Sequence, residues 1–457
     1  MKNFSTVIQP IGISASDHAD KWQFYWLCGL IVSFAYELPL AFLTPYDRTN
    51  PRLFDVFVVV GLLTILPKLL KHRTNVTKPF RVWASLVGWF CFCAIVWAIT
   101  VLPWEYGIHS LWRAAKYIEG LLAIYMATQI PLDARRKHIL HGVLVFGGVF
   151  VAVYCIPEYV RGATSVIIRE DLEVNITEGT LVGPFGASYF QLAQTSALFF
   201  ACAVTYFASP RLGLANILGT AIVAFLAWPA LMSGSRTGLG LILITTATLA
   251  IFDKSTRKMF LIVFVVLIPI TAAFVDLDRV SNFVETGATL QRFEGFELED
   301  SDNSIAERIR VVMDFSSYMA GDLLPLIGGG FYVAPVKREG FHFAPLISGG
   351  ELYDCRIDFG IHSIYLFPLE QAGVIGLVLF LKFIIEILRS LWKSRSQDEP
   401  ANLPLSNALF AYFVATLIVG VGGHNFWQGF DSGNFNTLLI TLLLIAITPS
   451  REALHRE

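Results

Sequence analysis

The sequence predicts an all-α polytopic membrane protein with about 12 transmembrane helices. Of its 457 residues 55% are hydrophobic and 15% charged, and the mean hydropathy is +0.59, which suits a chain mostly in lipid rather than a soluble domain. Apolar runs near the ~20 residues that a helix needs to cross a hydrocarbon core recur along the chain. Basic clusters follow alternate runs, the asymmetry that fixes membrane orientation.

In chain order the runs are 22–43, 54–70, 83–102, 111–130, 139–156, 189–207, 212–232, 237–252, 259–275, 364–388, 405–421 and 435–447. The first twenty residues are mixed and polar, and no small-residue cleavage pattern follows the first run, so it reads as a span and not as a signal peptide. Lys68, Lys71, Arg73, Lys78 and Arg81 follow the second run; Arg135, Arg136 and Lys137 the fourth; Lys254, Arg257 and Lys258 the eighth; Arg389, Lys393 and Arg395 the tenth. All four clusters sit after even-numbered runs, which puts that side, and both termini, in the cytoplasm.

The opposite side carries the unusual features. Between the ninth and tenth runs, 276–361 is far longer than an ordinary connection, the length of a functional insertion. The chain therefore divides into transmembrane helices over 1–275, an outer segment over 276–361 and further transmembrane helices over 362–457, all in one integrated membrane domain. Within the outer segment "SIAERIRVVMDFSSYM" opens with Ser304 and Glu307 at capping-box spacing, followed by Ile305, Ile309, Val312 and Met313 at helical intervals. It predicts an amphipathic helix at the membrane surface.

A net charge of −2 leaves no general basic surface, which argues against nucleic acid as a partner. A polyanion would have to be met by locally placed cations. "LMSGSRTGLGLILI" sets Arg236 in a tight outer turn between Gly234 and Gly238. Arg113, Lys116, Arg161, Arg169, Arg308 and Arg310 share that side. Arginine binds phosphate oxygens bidentately and keeps its charge, so such a group suits a lipid diphosphate; span-end cations that merely snorkel to headgroups would give the same pattern. His362 stands where the long segment re-enters the membrane, as a general base for a sugar hydroxyl or as a helix-end residue. Glu370 lies two turns further along, and an intramembrane carboxylate is a functional candidate. His424 and Asp431 belong to the last outer loop.

No Cys/His spacing resembles a zinc site, and the acidic stretch "ELEDSDNS" lacks the glycine and spacing of a calcium loop. No Walker loop, dinucleotide fingerprint or nucleophile elbow appears. No metal or cofactor is expected.

Three elements, in order, resemble the O-antigen ligase and polymerase superfamily of bacterial envelope glycosyltransferases: "SGSRTGL", "RVVMDFSSYMAGDLLPLIGGGF" and "HSIYLFPLEQAGVIGLVLFL", the last with the pair Gly373 and Gly376. The resemblance covers roughly 183–380. It implies an outward site lined by Arg236, Arg310 and His362 in a bacterial inner membrane, and transfer of a glycan from undecaprenyl diphosphate to a glycan or lipid A core acceptor. It implies no nucleotide and no metal. Arg308, Arg113, Lys116, Glu370 and Arg169 are the further substrate-binding candidates, and Arg308 is a close alternative to Arg310. Asp314, Ser363 and Gln371 depart from the family pattern, Gln371 taking the acidic position with Glu370 one residue early.

The competing class is a transporter or flippase of lipid-linked glycans, which should show broken helices or paired halves around a midplane site. Neither is evident in the sequence, although Pro229, Pro269 and Pro368 could interrupt helices. A scaffold in an envelope assembly is a third class.

Overall fold

The computed structural model describes residues 15–34, 52–69, 76–100, 104–160, 181, 183–185, 189–208, 214–233, 235–253, 256–257, 260, 363–397, 403–421 and 434–448. They are helical nearly throughout, with no extended strand among them. In order the helices are α1 Ala15–Ser33, α2 Leu53–Thr64, α3 Leu66–Leu69, α4 Lys78–Thr100, α5 Trp104–Thr128, α6 Ala134–Val160, α7 Tyr189–Phe207, α8 Leu214–Met232, α9 Arg236–Phe252, α10 Leu366–Gln397, α11 Leu403–Val419 and α12 Asn434–Ile447, with a 3-10 turn at Gly183–Phe185. The expected ninth span and the outer segment with its amphipathic helix lie outside the described residues.

Length and apolarity together qualify Lys78–Thr100, Ala134–Val160 and Phe190–Phe207 to cross a membrane, and several shorter apolar helices accompany them. α7, α11 and α12 are buried on almost every face; in α11 every residue from Leu405 to Phe413 is buried. A helix apolar all round belongs at the centre of a bundle. α7 packs on α6, α8, α9 and α11, while α4 packs on α5 and α10.

Two of the expected spans are broken. The run 54–70 ends as helix at Thr64 and resumes at Leu66. Pro67 has no amide hydrogen for the i−4 carbonyl, so the ladder cannot continue through it. All but the first two residues of the run 364–388 fall inside α10, which holds Gly373 at φ 65°, ψ −167°. Essentially glycine alone occupies that conformation. A Cβ on Gly376 would stand 2.5 Å from Ala372 Cβ and 2.8 Å from the Pro368 carbonyl oxygen, so the inner arm folds closely against the outer one. The Ala372 carbonyl accepts a hydrogen bond from Trp89 Nε1 on α4 (2.8 Å). A broken helix is therefore present, which the sequence did not reveal, and it breaks at the glycine and not at Pro368. The inner arm, 374–397, is about 36 Å long at 1.5 Å per residue.

Side-chain contacts sort the bundle into two ends. α4 and α10 run antiparallel: Lys78 Nζ meets Glu386 Oε1 at 2.7 Å, and the Trp83 and Phe383 rings lie 5.0 Å apart. Arg395 near the end of α10 donates from Nε to Asn407 Oδ1 at the start of α11 (2.7 Å). Its guanidinium also covers the rings of Phe252, Trp392 and Phe410 at 5.0, 5.5 and 4.8 Å. Lys137 Nζ at the start of α6 donates to the Thr448 carbonyl just past α12 (3.0 Å). The described members of the four basic clusters thus gather at one end. The start of α9 and the start of α10 lie at the other.

Candidate active site

Three residues build the turn that presents Arg236. Ser233 Oγ donates to the Ala230 carbonyl (2.7 Å) and closes α8. Ser235 is extended at φ −82°, ψ 114° and caps α9, its Oγ accepting from the Gly238 amide. Gly238 is required by close approach: a Cβ there would stand 2.7 Å from Ala193 Cβ on α7 and 3.0 Å from the Ala230 carbonyl oxygen. Arg236 is the first residue of α9. A cation at a helix N-terminus works against the helix dipole by roughly 0.3–1 kcal/mol, so helix stability does not account for it. First-turn amides at such an end favour anions.

The outer arm of α10 reaches the same place through α11. The Ile364 amide donates to the Gly420 carbonyl (2.9 Å) and Tyr365 Oη to the Leu417 carbonyl (2.9 Å). On the other side of that last turn, a Cβ on Gly240 would lie 3.2 Å from Val419 Cγ2. One turn after Arg236 and two residues after position 362, the two elements therefore pack on successive residues of the α11 terminus. His362, Arg169, Arg308 and Arg310 lie outside the described residues, as do the side chains of Arg236 and Glu370.

Lys116 is placed differently from the sequence expectation. α5 begins at Trp104, so Lys116 lies midway along it rather than near its start. Its Nζ meets Asp55 Oδ1 of α2 at 2.9 Å and Glu119 Oε2 at 2.8 Å, and it stands 5.3 Å over the Trp112 ring. The Arg52 amide bonds the other Asp55 oxygen at 2.8 Å. Arg113 is half-buried one turn earlier on α5.

Sequence reasoning missed several of these residues. Glu119 was detectable from its i, i+3 spacing to Lys116, but Asp55 is 61 residues away and carries no local signal. Trp89 has none either. The opening of α7 is polar and buried, at Gln191, Gln194, Thr195 and Ser196. It lies next to the Arg236 turn through Ala193, and Tyr412 Oη ties it to α11 by donating to the Gln194 carbonyl (3.0 Å).

A comparison with curated proteins finds no match. Residues 220–381 match the family model described as O-antigen ligase. That interval contains the Arg236 turn, the outer segment and the α10 arm with its glycine pair, the elements that carried the resemblance. Together with the apolar helices, this match points to a multi-pass membrane protein. Residues 220–381, about a third of the chain, are thus similar to the O-antigen ligase family.

Proposed function

We infer that the protein moves a glycan from an undecaprenyl-diphosphate donor to an acceptor hydroxyl, on a glycan or on lipid A core, at the periplasmic face of a bacterial inner membrane. The observation that carries this reading is the packing of the Arg236 helix and the α10 arm on one α11 terminus, at the end of the bundle opposite the basic clusters. Those clusters mark the cytoplasmic side, which also holds both termini.

The chemistry needs charge stabilisation and one proton transfer. The acceptor oxygen attacks the anomeric carbon from the face opposite the diphosphate, the bond from that carbon to the diphosphate oxygen breaks, and the configuration inverts. His362 takes the hydroxyl proton. Arg236 and Arg310 meet the charge that develops on undecaprenyl diphosphate, as pre-placed donors without reorganisation. Arg308, Arg169 and Arg113 border the donor lipid, and Glu370 borders the acceptor. Lys116, already shared by two carboxylates, is left to the packing of α2 on α5.

Complementation of a deletion strain tests this. Arg236→Ala and His362→Ala should abolish the polymer while expression and membrane insertion persist; a wild-type envelope glycan profile from either variant refutes the assignment. In the deletion strain, polymer accumulating on undecaprenyl diphosphate identifies a ligase, and single repeats identify a polymerase. The break in α10 gives the transporter reading one specific observation, since broken helices line transporter sites. Transfer by purified protein in detergent, where no gradient exists, separates the two.

A further inference from the structure

The cluster around Lys116 leaves one bond to make. An ammonium carries three N–H groups, and Lys116 Nζ uses two of them on Asp55 Oδ1 at 2.9 Å and Glu119 Oε2 at 2.8 Å. No described acceptor takes the third. The Trp112 ring, 5.3 Å away, attracts the charge through its face but offers no lone pair. A partly buried ion cluster is tolerated only when its remaining N–H groups and lone pairs also find partners. On a facing helix, Asn436 in the first turn of α12 is 4% exposed, and its Oδ1 has no hydrogen-bond partner among the described residues.

Both groups open on one cavity. Trp83 of α4 with Leu121 and Ile124 of α5 forms its apolar wall, Lys116 and Asn436 line its polar side, and Tyr117 and Thr437 stand beside them. Helix α12 comes this close because residue 120 is glycine: a Cβ there would stand 2.6 Å from Thr437 Oγ1. The space is close to that of a single water molecule, too small for a sugar or a lipid headgroup. Its occupant must accept from an ammonium and donate to an amide oxygen. A hydroxyl does both, and water is the hydroxyl that fits.

We propose that this cavity binds one structural water, which accepts from Lys116 Nζ and donates to Asn436 Oδ1. The water links the α2–α5 cluster to α12, so that Asp55, Glu119, Lys116 and Asn436 form one connected polar network. The link does not depend on the transferase reading.

The test uses the full-length protein in detergent. Asn436→Leu replaces the amide by an apolar side chain of nearly the same shape. With the water in place, this change strands the third Lys116 N–H, and the melting temperature should fall by about 2–4 °C. Without a water, it removes a stranded acceptor and the melting temperature should stay or rise; that result overturns the proposal. In a Lys116→Met background the same change should cost at most about half as much, whereas equal falls in both backgrounds overturn the link. Should Lys116→Met fail to fold, a density map of the wild-type protein decides, with an ordered water expected within hydrogen-bond distance of both Lys116 Nζ and Asn436 Oδ1. A protein donor on Asn436 Oδ1, or no density between the two groups, overturns the assignment. So does a peak ringed by oxygens with the ammonium turned away, the sign of a cation.

Discussion

The two ends of the bundle are held together by different means. At the basic end, side-chain cations join the helices: Lys78 to Glu386, Arg395 to Asn407 and three rings, Lys137 to the Thr448 carbonyl. At the end bearing the Arg236 turn, the described contacts are main-chain amides, hydroxyls and a carboxylate. Leu181 N donates to the Met232 carbonyl (3.3 Å), Gly183 N to Glu158 Oε2 (2.8 Å) and Ile364 N to the Gly420 carbonyl. Away from that turn a lysine also joins two helices, Lys116 on α5 meeting Asp55 in the first turn of α2 at 2.9 Å. The lesson is a difference in kind: one end is joined through cationic side chains, whereas beside the Arg236 turn the described contacts run through main-chain groups and small side chains.

Substitutions break or sharpen that contrast. The largest effect belongs to Arg236→Ala, for which transfer should fall by about a hundredfold or more, the loss on removing one pre-placed donor, with an unchanged melting temperature. A drop in melting temperature of many degrees would make Arg236 structural and erase the distinction. Next comes Lys116→Met in the middle of the bundle, which leaves Asp55 and Glu119 facing each other. Breaking a buried pair costs about 3–5 kcal/mol; these groups remain 16–19% exposed, so about 2–3 kcal/mol is expected in a denaturant titration. At the basic end, Arg395→Met should cost about 1–2 kcal/mol through its ring and amide contacts and leave transfer at the wild-type level. The smallest effect is Ser235→Ala, about 1 kcal/mol for one helix cap, read as a small shift in thermal unfolding.

Much of this architecture was legible because bilayer depth and helix rise translate directly into run length. The core helices follow from uninterrupted apolar runs, as in Ala408 to Ala415, and the basic clusters announce their common end. The breaks were not legible, since a hydropathy window counts apolar side chains and takes no account of a missing amide at Pro67 or of the backbone freedom of Gly373. The Arg236 turn was readable because serine, arginine and glycine are conspicuous between apolar runs. The Lys116 triad and the Trp89 bond were hidden for another reason. Their partners are supplied by packing, 61 residues away for Asp55 and 283 for Ala372, and no local spacing encodes that distance.

The break at Gly373 also separates two tasks that a continuous helix would couple. The inner arm can tilt about the glycine to meet thinner or thicker membranes. The height of the outer arm is set by α4 and α11 instead. An outer arm mounted in this way keeps its register when lipid composition changes, a form of mechanical insulation supplied by one residue without a side chain.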